Sequence, residues 1–498
     1  MSPTVLIAVI LAYFGILLGV ARVASRGAGA DAFFHGNKNS NWVVVAFGMI
    51  GTSLSGVTFV SVPGLVGDTA FFYFQVLIGQ FAGYLVVAFV LLPIFYRYKL
   101  TSIYAYLGAR LGPNSRIAGA WLFLVSRSIG ASARLYLVII ILQVSVFDRL
   151  GLSYWVTAAA TVCLIVAYTF QGGVKAIIWT DLLQTVLMLT GLVVCSLYLA
   201  DALELSLPAS QARMQAAGLT AIWSFDTDSV YFWPKQLIAG LLISVAMTGM
   251  DQEMMQKNIS VKSLRDSQKN IVSLAVVMMF VVFAFLFLGG LLTMYAQQNG
   301  IAATGDRLFP EVVFHHMPEL LQIVFVVALI SALFPSADGA LTALTASYCI
   351  DIAKIDERAG WTERQRLQFR RKVQLAFAVL IFVLLAALKA IDSASIVGLI
   401  LKFATITYGP LLGLFCFAIA TRRVPDDRRV LWVVFAVPVA CLGLDLAQPW
   451  LFAHYRIGLE MLAINGLLTF VGLMCISSAS TGAAGGAPQP HTATGAPA

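Results

Sequence analysis

Gly48-Met49-Ile50-Gly51-Thr52-Ser53-Leu54-Ser55-Gly56 stands in the middle of an apolar run, 42–66, where a plain membrane helix would carry Leu and Val. A second patch, Ser244-Val245-Ala246-Met247-Thr248-Gly249-Met250-Asp251, interrupts the run 235–255 in the same way. One such patch reads most simply as close helix packing through small residues. Two of them, five spans apart and each opening a group of five, read differently. An odd number of spans per half inserts the second half upside down, and paired discontinuous helices then build a midplane site from unwound backbone.

Working outward, apolar runs of about 20 residues recur along the chain, each long enough to cross a hydrocarbon core of about 30 Å. Thirteen spans are expected, at about 4–22, 42–66, 71–96, 116–146, 153–171, 178–201, 235–255, 270–296, 318–350, 373–389, 393–420, 429–447 and 455–476. Numbered from zero, spans 1 and 6 are the broken ones. The expected fold is therefore an all-α integral membrane protein with a 5+5 inverted repeat, its halves near 42–201 and 235–420 within a transporter domain 1–476. Composition agrees: hydrophobic residues make up 60% and charged residues 11% of the chain, against about 25% charged in a soluble domain. Residues 100–112 are short and amphipathic and suit an interfacial helix. Residues 477–498, rich in Ala, Gly, Thr and Pro, are expected as a disordered cytoplasmic tail.

The net charge of +8 does not point to nucleic acid, because the basic residues lie in short loops between apolar runs. With the N-terminus outside, the loops holding Arg22, Arg26, Lys38, Arg97, Lys99, Arg110 and Arg116 fall inside. So do those with Lys257, Lys262, Arg265 and Lys269, the segment 354–372, and Arg422, Arg423, Arg428 and Arg429. The opposite loops carry few cations, which places the C-terminus in the cytoplasm. No cleavable signal precedes the first run, whose basic residues follow it. The six cysteines sit inside apolar runs and read as small core residues. The location implied is the cell (inner) membrane, with the lipid bilayer as partner and no obligate protein partner evident.

Charged groups inside spans usually face a cavity or a partner. Asp181 lies near one end of span 5 and Asp338 inside span 8. A hard cation such as Na⁺ takes oxygen ligands, so a carboxylate, a hydroxyl and freed carbonyls suit it. The plain alternatives are a helix-end residue for Asp181 and a structural ion pair for Asp338. Arg127 and Arg134, seven apart, share one face of span 3, and Lys402 lies some ten residues into span 10. These cations either present a planar fork to a carboxylate solute or pair with the two aspartates. Gln75 and Gln80 in span 2 are weaker solute candidates.

Together these segments resemble the sodium:solute symporter family, whose members have a leucine-transporter-like core. The most specific pieces are 172–184, similar to the family's GG-x-x-A-x-x-x-TD-x-x-Q signature, and Tyr408-Gly409-Pro410-Leu411-Leu412-Gly413. Asp251-Gln252 with Gln256, the segment 100–112 and Phe33-Phe34-His35-Gly36 also resemble family landmarks. The resemblance implies a main Na⁺ site from the carbonyls of Gly51, Leu54 and Ala332 and the hydroxyl of Ser336, with Pro335 replacing a usual hydroxyl. It implies a second cation near Asp181, with Asp338 and Gly339 standing where hydroxyls are common. Solute contacts fall at Ser53, Ser55, Gly56 and Thr58, on spans 2 and 3, and at Met247 and Thr248. Arg134 is similar in placement to a carboxylate-binding arginine of the sialic-acid branch.

The function expected is inward, cation-coupled symport of a small organic solute, with Na⁺ as coupling ion and an anionic or zwitterionic solute favoured. One alternative is a proton-coupled or Na⁺-independent carrier in which Lys402 or Arg134 neutralises Asp338. Another is a transporter-like sensor. An enzyme is not expected: no nucleophile–base pair is visible, and His315-His316 lacks partner ligands at a zinc-like spacing.

Overall fold

A computed structural model describes residues 3–24, 40–98, 102–358, 360–391, 396–452, 455 and 457–478. Helices account for almost all of it, because a backbone in lipid must satisfy its own hydrogen bonds. The first helix is α1 (Pro3–Ala24). Span 1 is two helices, α2 (Trp42–Ser53) and α3 (Gly56–Thr69), bent by 54°. The helical path stops at Leu54, with φ −87° and ψ 97°, and Ser55, with φ −87° and ψ 170°. Then come α4 (Tyr73–Arg97), α5 (Ile103–Leu111) and α6 (Pro113–Leu142).

In place of the expected spans 153–171 and 178–201, one continuous helix α7 runs over Tyr154–Ala202. It holds two apolar stretches, Tyr154–Ala167 and Ala176–Ala202. The segment 201–231 folds in part into α8 (Leu207–Ala216). Span 6 is broken as read. Helix α9 (Trp233–Ser244) widens into a π-turn, Val245–Gly249, leaves helix at Met250–Asp251 and restarts as α10 (Gln252–Ile259). The rest follows as α11 (Leu264–Asn299), α12 (Leu308–His316), α13 (Glu319–Ser347), α14 (Glu363–Ile391), α15 (Ile396–Ala420), α16 (Asp427–Leu451) and α17 (Met461–Cys475).

Among the described residues nine helices are long and apolar enough to cross a membrane, or ten with the bent pair α2–α3. The other expected spans are the shorter stretches Tyr154–Ala167 and Met461–Cys475 and the interrupted α9–α10. Two further expectations change. The amphipathic α5 buries Tyr104 and Leu107 in the bundle, and its Tyr104 hydroxyl donates to the Met250 carbonyl at 3.1 Å, so its apolar face meets protein. Ser477–Ser478, assigned to the tail, pair antiparallel with Val424–Pro425. The Phe33-Phe34-His35-Gly36 landmark and residues 479–498 lie outside the described residues.

Glycines bring α4 and α9 close together. A Cβ on Gly79 would lie 2.1 Å from the Leu237 carbonyl oxygen, and one on Gly240 2.0 Å from that of Val76. Helices α4 and α9 therefore touch backbone to backbone at two reciprocal points.

Candidate functional site

The glycines of the first patch do two jobs. Gly48 and Gly51 lay α2 directly on α7: a Cβ on Gly48 would lie 3.3 Å from Asp181 Cβ, and one on Gly51 2.3 Å from Thr185 Oγ1. Close packing through small residues is thus real, and the break follows it by one turn. The Leu54 amide makes the last helical hydrogen bond of α2, to the Ile50 carbonyl at 2.8 Å, and the carbonyls after it, beginning with Gly51, have no helical donors. Gly56, opening α3, faces α13, its Cβ position 3.7 Å from Leu333 Cα. Ala332 and Ser336 flank that contact, both buried. The Ser336 hydroxyl donates to the Leu333 carbonyl at 2.8 Å, which leaves its oxygen lone pairs available. Pro335 has no N–H, so the Ser331 carbonyl one turn back lacks its helical donor.

Beside the break, α10 is unusual for a membrane protein: Gln252-Glu253-Met254-Met255-Gln256-Lys257-Asn258-Ile259 is polar, yet all eight residues are buried. Its polar side chains reach outward in several directions. Asp251 caps the helix, Oδ1 accepting from the Glu253 and Met254 amides at 2.9 and 3.3 Å. Asp251 Oδ2 accepts from the Tyr408 hydroxyl at 2.6 Å and lies 3.8 Å from Arg127. Gln252 accepts from the Ile103 amide at 3.1 Å. Glu253 takes the Arg127 guanidinium. Lys257 Nζ donates to Asp181 Oδ2 at 2.7 Å and Thr52 Oγ1 at 2.6 Å, with Glu253 Oε1 3.5 Å away.

This network corrects several expectations. Lys257, read as a loop cation, is buried between α2 and α7, and it is the partner of Asp181. Arg127 pairs with Glu253 and Asp251, not with Asp181 or Asp338. Lys402 is half exposed and bonds Asp445 of α16 at 2.5 Å, so it is neither deep in the bundle nor a neutraliser of Asp338. Asp338 is fully buried on α13, next to Gly339, where a Cβ would lie 2.1 Å from Glu253 Oε1.

A cavity of about 110 Å³ lies where both breaks meet α4, α6 and α11. Six expected solute contacts line it: Ser53, Thr58, Gln80, Arg134, Met247 and Thr248. Sequence reading missed Tyr73, Tyr84 and Ser244, which line the same cavity; their register on α4 and α9 carries the signal. Three expected contacts lie elsewhere, among them Gly56, which packs against α6 and α13. Gln75 is buried with its amide on the Phe72 and Tyr231 carbonyls, both at 3.2 Å, and so ties α4 to the loop before α9. Ser55 is buried at the break and is not on the cavity wall. Among the described residues Arg134 has no carboxylate partner, and it also borders a smaller void beside Tyr408.

Two interrupted helices meeting across a polar cavity define a secondary transporter, and solved structures share this fold. A Na⁺-coupled sialic acid symporter in a substrate-bound outward-open state matches with a TM-score of 0.80, 19% identical, covering 95% of this chain and 99% of that one. A nucleobase-cation-symport-1 family transporter matches at 0.57, 13% identical, covering 89% and 93%. The model of the sodium:solute symporter family matches residues 33–427, and the chain belongs to that family. Similar relatives are the sodium/sialic acid symporters NanT of Aliivibrio fischeri, 25% identical over 92% of each chain, and SiaT of Proteus mirabilis, 24% identical over 93% and 94%. Human sodium-coupled monocarboxylate transporter 1 is 26% identical over 78% of this chain and 64% of its own. The protein is a multi-pass, Na⁺-coupled solute symporter and not an enzyme. Sodium independence and a sensor role are set aside.

Proposed function

We propose that this symporter carries a compact solute bearing a carboxylate, anionic or zwitterionic, into the cell with Na⁺. The observation that carries the reading is Arg134, a guanidinium on the wall of the cavity without a carboxylate partner among the described residues. Its planar fork suits a carboxylate in two parallel hydrogen bonds, and the hydroxyls of Ser53, Thr58, Tyr73 and Thr248 on the same wall suit the remaining polar atoms. Relatives named for sialic acid and for monocarboxylates both handle acids. A cavity of about 110 Å³ is small beside the ~300 Å³ at the low end of ligand pockets, which favours a short acid over a nine-carbon sugar acid.

The Na⁺ seat is assigned to the Gly51 and Leu54 carbonyls at the break with Ala332 and Ser336 of α13 opposite. Cation and solute then share the α2–α3 break, and each favours the other's binding by a coupling of roughly 1–3 kcal/mol. The loop charges favour an N-terminus outside and a C-terminus in the cytoplasm. The test is thermal stabilisation of the purified protein by carboxylates, amino acids and neutral sugars, in NaCl and in choline chloride. Stabilisation by carboxylates only with sodium is the expected result; stabilisation by neutral sugars alone would end the reading.

A further inference from the structure

Lys257 Nζ sits among oxygens from three elements: Thr52 Oγ1 of α2, Asp181 Oδ2 of α7 and Glu253 Oε1 of its own helix, at 2.6, 2.7 and 3.5 Å. Hydroxyl and carboxylate oxygens converging on one point at depth are what a bare monovalent cation needs. An ammonium with three N–H donors meets the same set. The seat is built and closed: Thr52, Asp181, Glu253 and Lys257 are each at most 5% exposed. Helix α13 makes room for it with Gly339, where a Cβ would lie 3.2 Å from Lys257 Nζ. The seat's own charges are matched: Lys257 stands between Asp181 and Glu253, and Glu253 also takes Arg127.

We propose that Lys257 is a tethered cation which permanently fills the seat beside Asp181, so that this symporter binds one Na⁺ per cycle. A free ion does not fit while the amine is there, because Nζ already stands at ligand distance from both Thr52 and Asp181. Asp181 is then a structural counter-ion, and sodium activation belongs to the seat at the α2–α3 break. The inference rests on the sodium coupling of the family and is independent of the solute class.

Equilibrium binding of radiolabelled Na⁺ to the purified full-length protein tests it. The wild type is expected to saturate at one Na⁺ per chain. Lys257→Ala, which leaves the oxygens and removes the amine, should saturate at two, and Lys257→Ala with Asp181→Asn should return to one. A wild-type count of two, or a folded Lys257→Ala protein that stays at one, overturns the proposal. Should Lys257→Ala not fold, Ser336→Ala decides between the same outcomes. With a single seat its affinity falls and no tight site remains, whereas one undiminished tight site contradicts a single seat. No binding at all in the wild type would overturn the sodium reading and this proposal with it.

Discussion

Glu253 and Lys257 stand one turn apart on α10 and send opposite charges to different helices: Glu253 to Arg127 of α6, Lys257 to Asp181 of α7. The short second half of span 6, which belongs to the second repeat half, is thereby clamped by charge to two helices of the first.

Breaking that clamp on one side leaves a buried charge unpaired, which costs roughly 3–5 kcal/mol, while neutralising both partners costs much less. Asp181→Asn and Lys257→Met should each lower Tm strongly, and the double variant should recover most of the loss. Additive losses in a double-mutant cycle would show that the two side chains do not act as a pair.

Arg134→Ala should abolish stabilisation by carboxylate solutes while leaving stabilisation by NaCl alone intact. Arg134→Lys should weaken solute binding as well, by about 10- to 100-fold, because a single ammonium cannot reproduce the two-point fork. Unchanged solute binding in both would remove Arg134 from the solute site.

Ser336→Ala takes an oxygen from the assigned Na⁺ seat. The half-saturating sodium concentration for uptake should rise by about tenfold, the equivalent of one ordinary hydrogen-bond-strength contact, with Tm in choline chloride little changed. Normal sodium activation would place the seat elsewhere.

Gly339→Ala puts a methyl group where Glu253 Oε1 stands 2.1 Å away. Overpacking of this kind costs about 1–3 kcal/mol, and a lowered Tm should report it. Lys402→Ala is the control: Lys402 pairs with Asp445 of α16, away from the cavity and the α10 network, so sodium activation and solute selectivity should both stay near wild type.

Much of this was readable from the chain. Glycines and hydroxyls inside 42–66 and 235–255 announced both breaks, because such residues destabilise a lipid-facing helix unless packing or unwinding uses them. Asp181, Asp338 and Arg134 were legible as ionisable residues at depth. Lys257 was not, since a lysine just past an apolar run looks like a loop cation. Only the capped restart at Asp251, followed by Glu253 and Lys257 four apart, hints that the chain stays inside the bundle. Lys402 misled in the opposite sense: position along a helix says how deep a residue lies but not which side it faces, and Asp445 lies on a distant stretch of chain. Gln75 went astray for the same reason.

The fixed amine has a consequence for energetics. A positive charge bonded to the polypeptide never leaves with the cargo, so it transfers nothing across the bilayer. One Na⁺ accompanying one monovalent carboxylate makes an electroneutral turnover, on which the membrane potential, worth ~2.3 kcal/mol per charge per 100 mV, does no work. Accumulation by such a carrier is bounded by the sodium concentration ratio alone, and collapsing the voltage while holding that ratio should leave the final uptake level where it was.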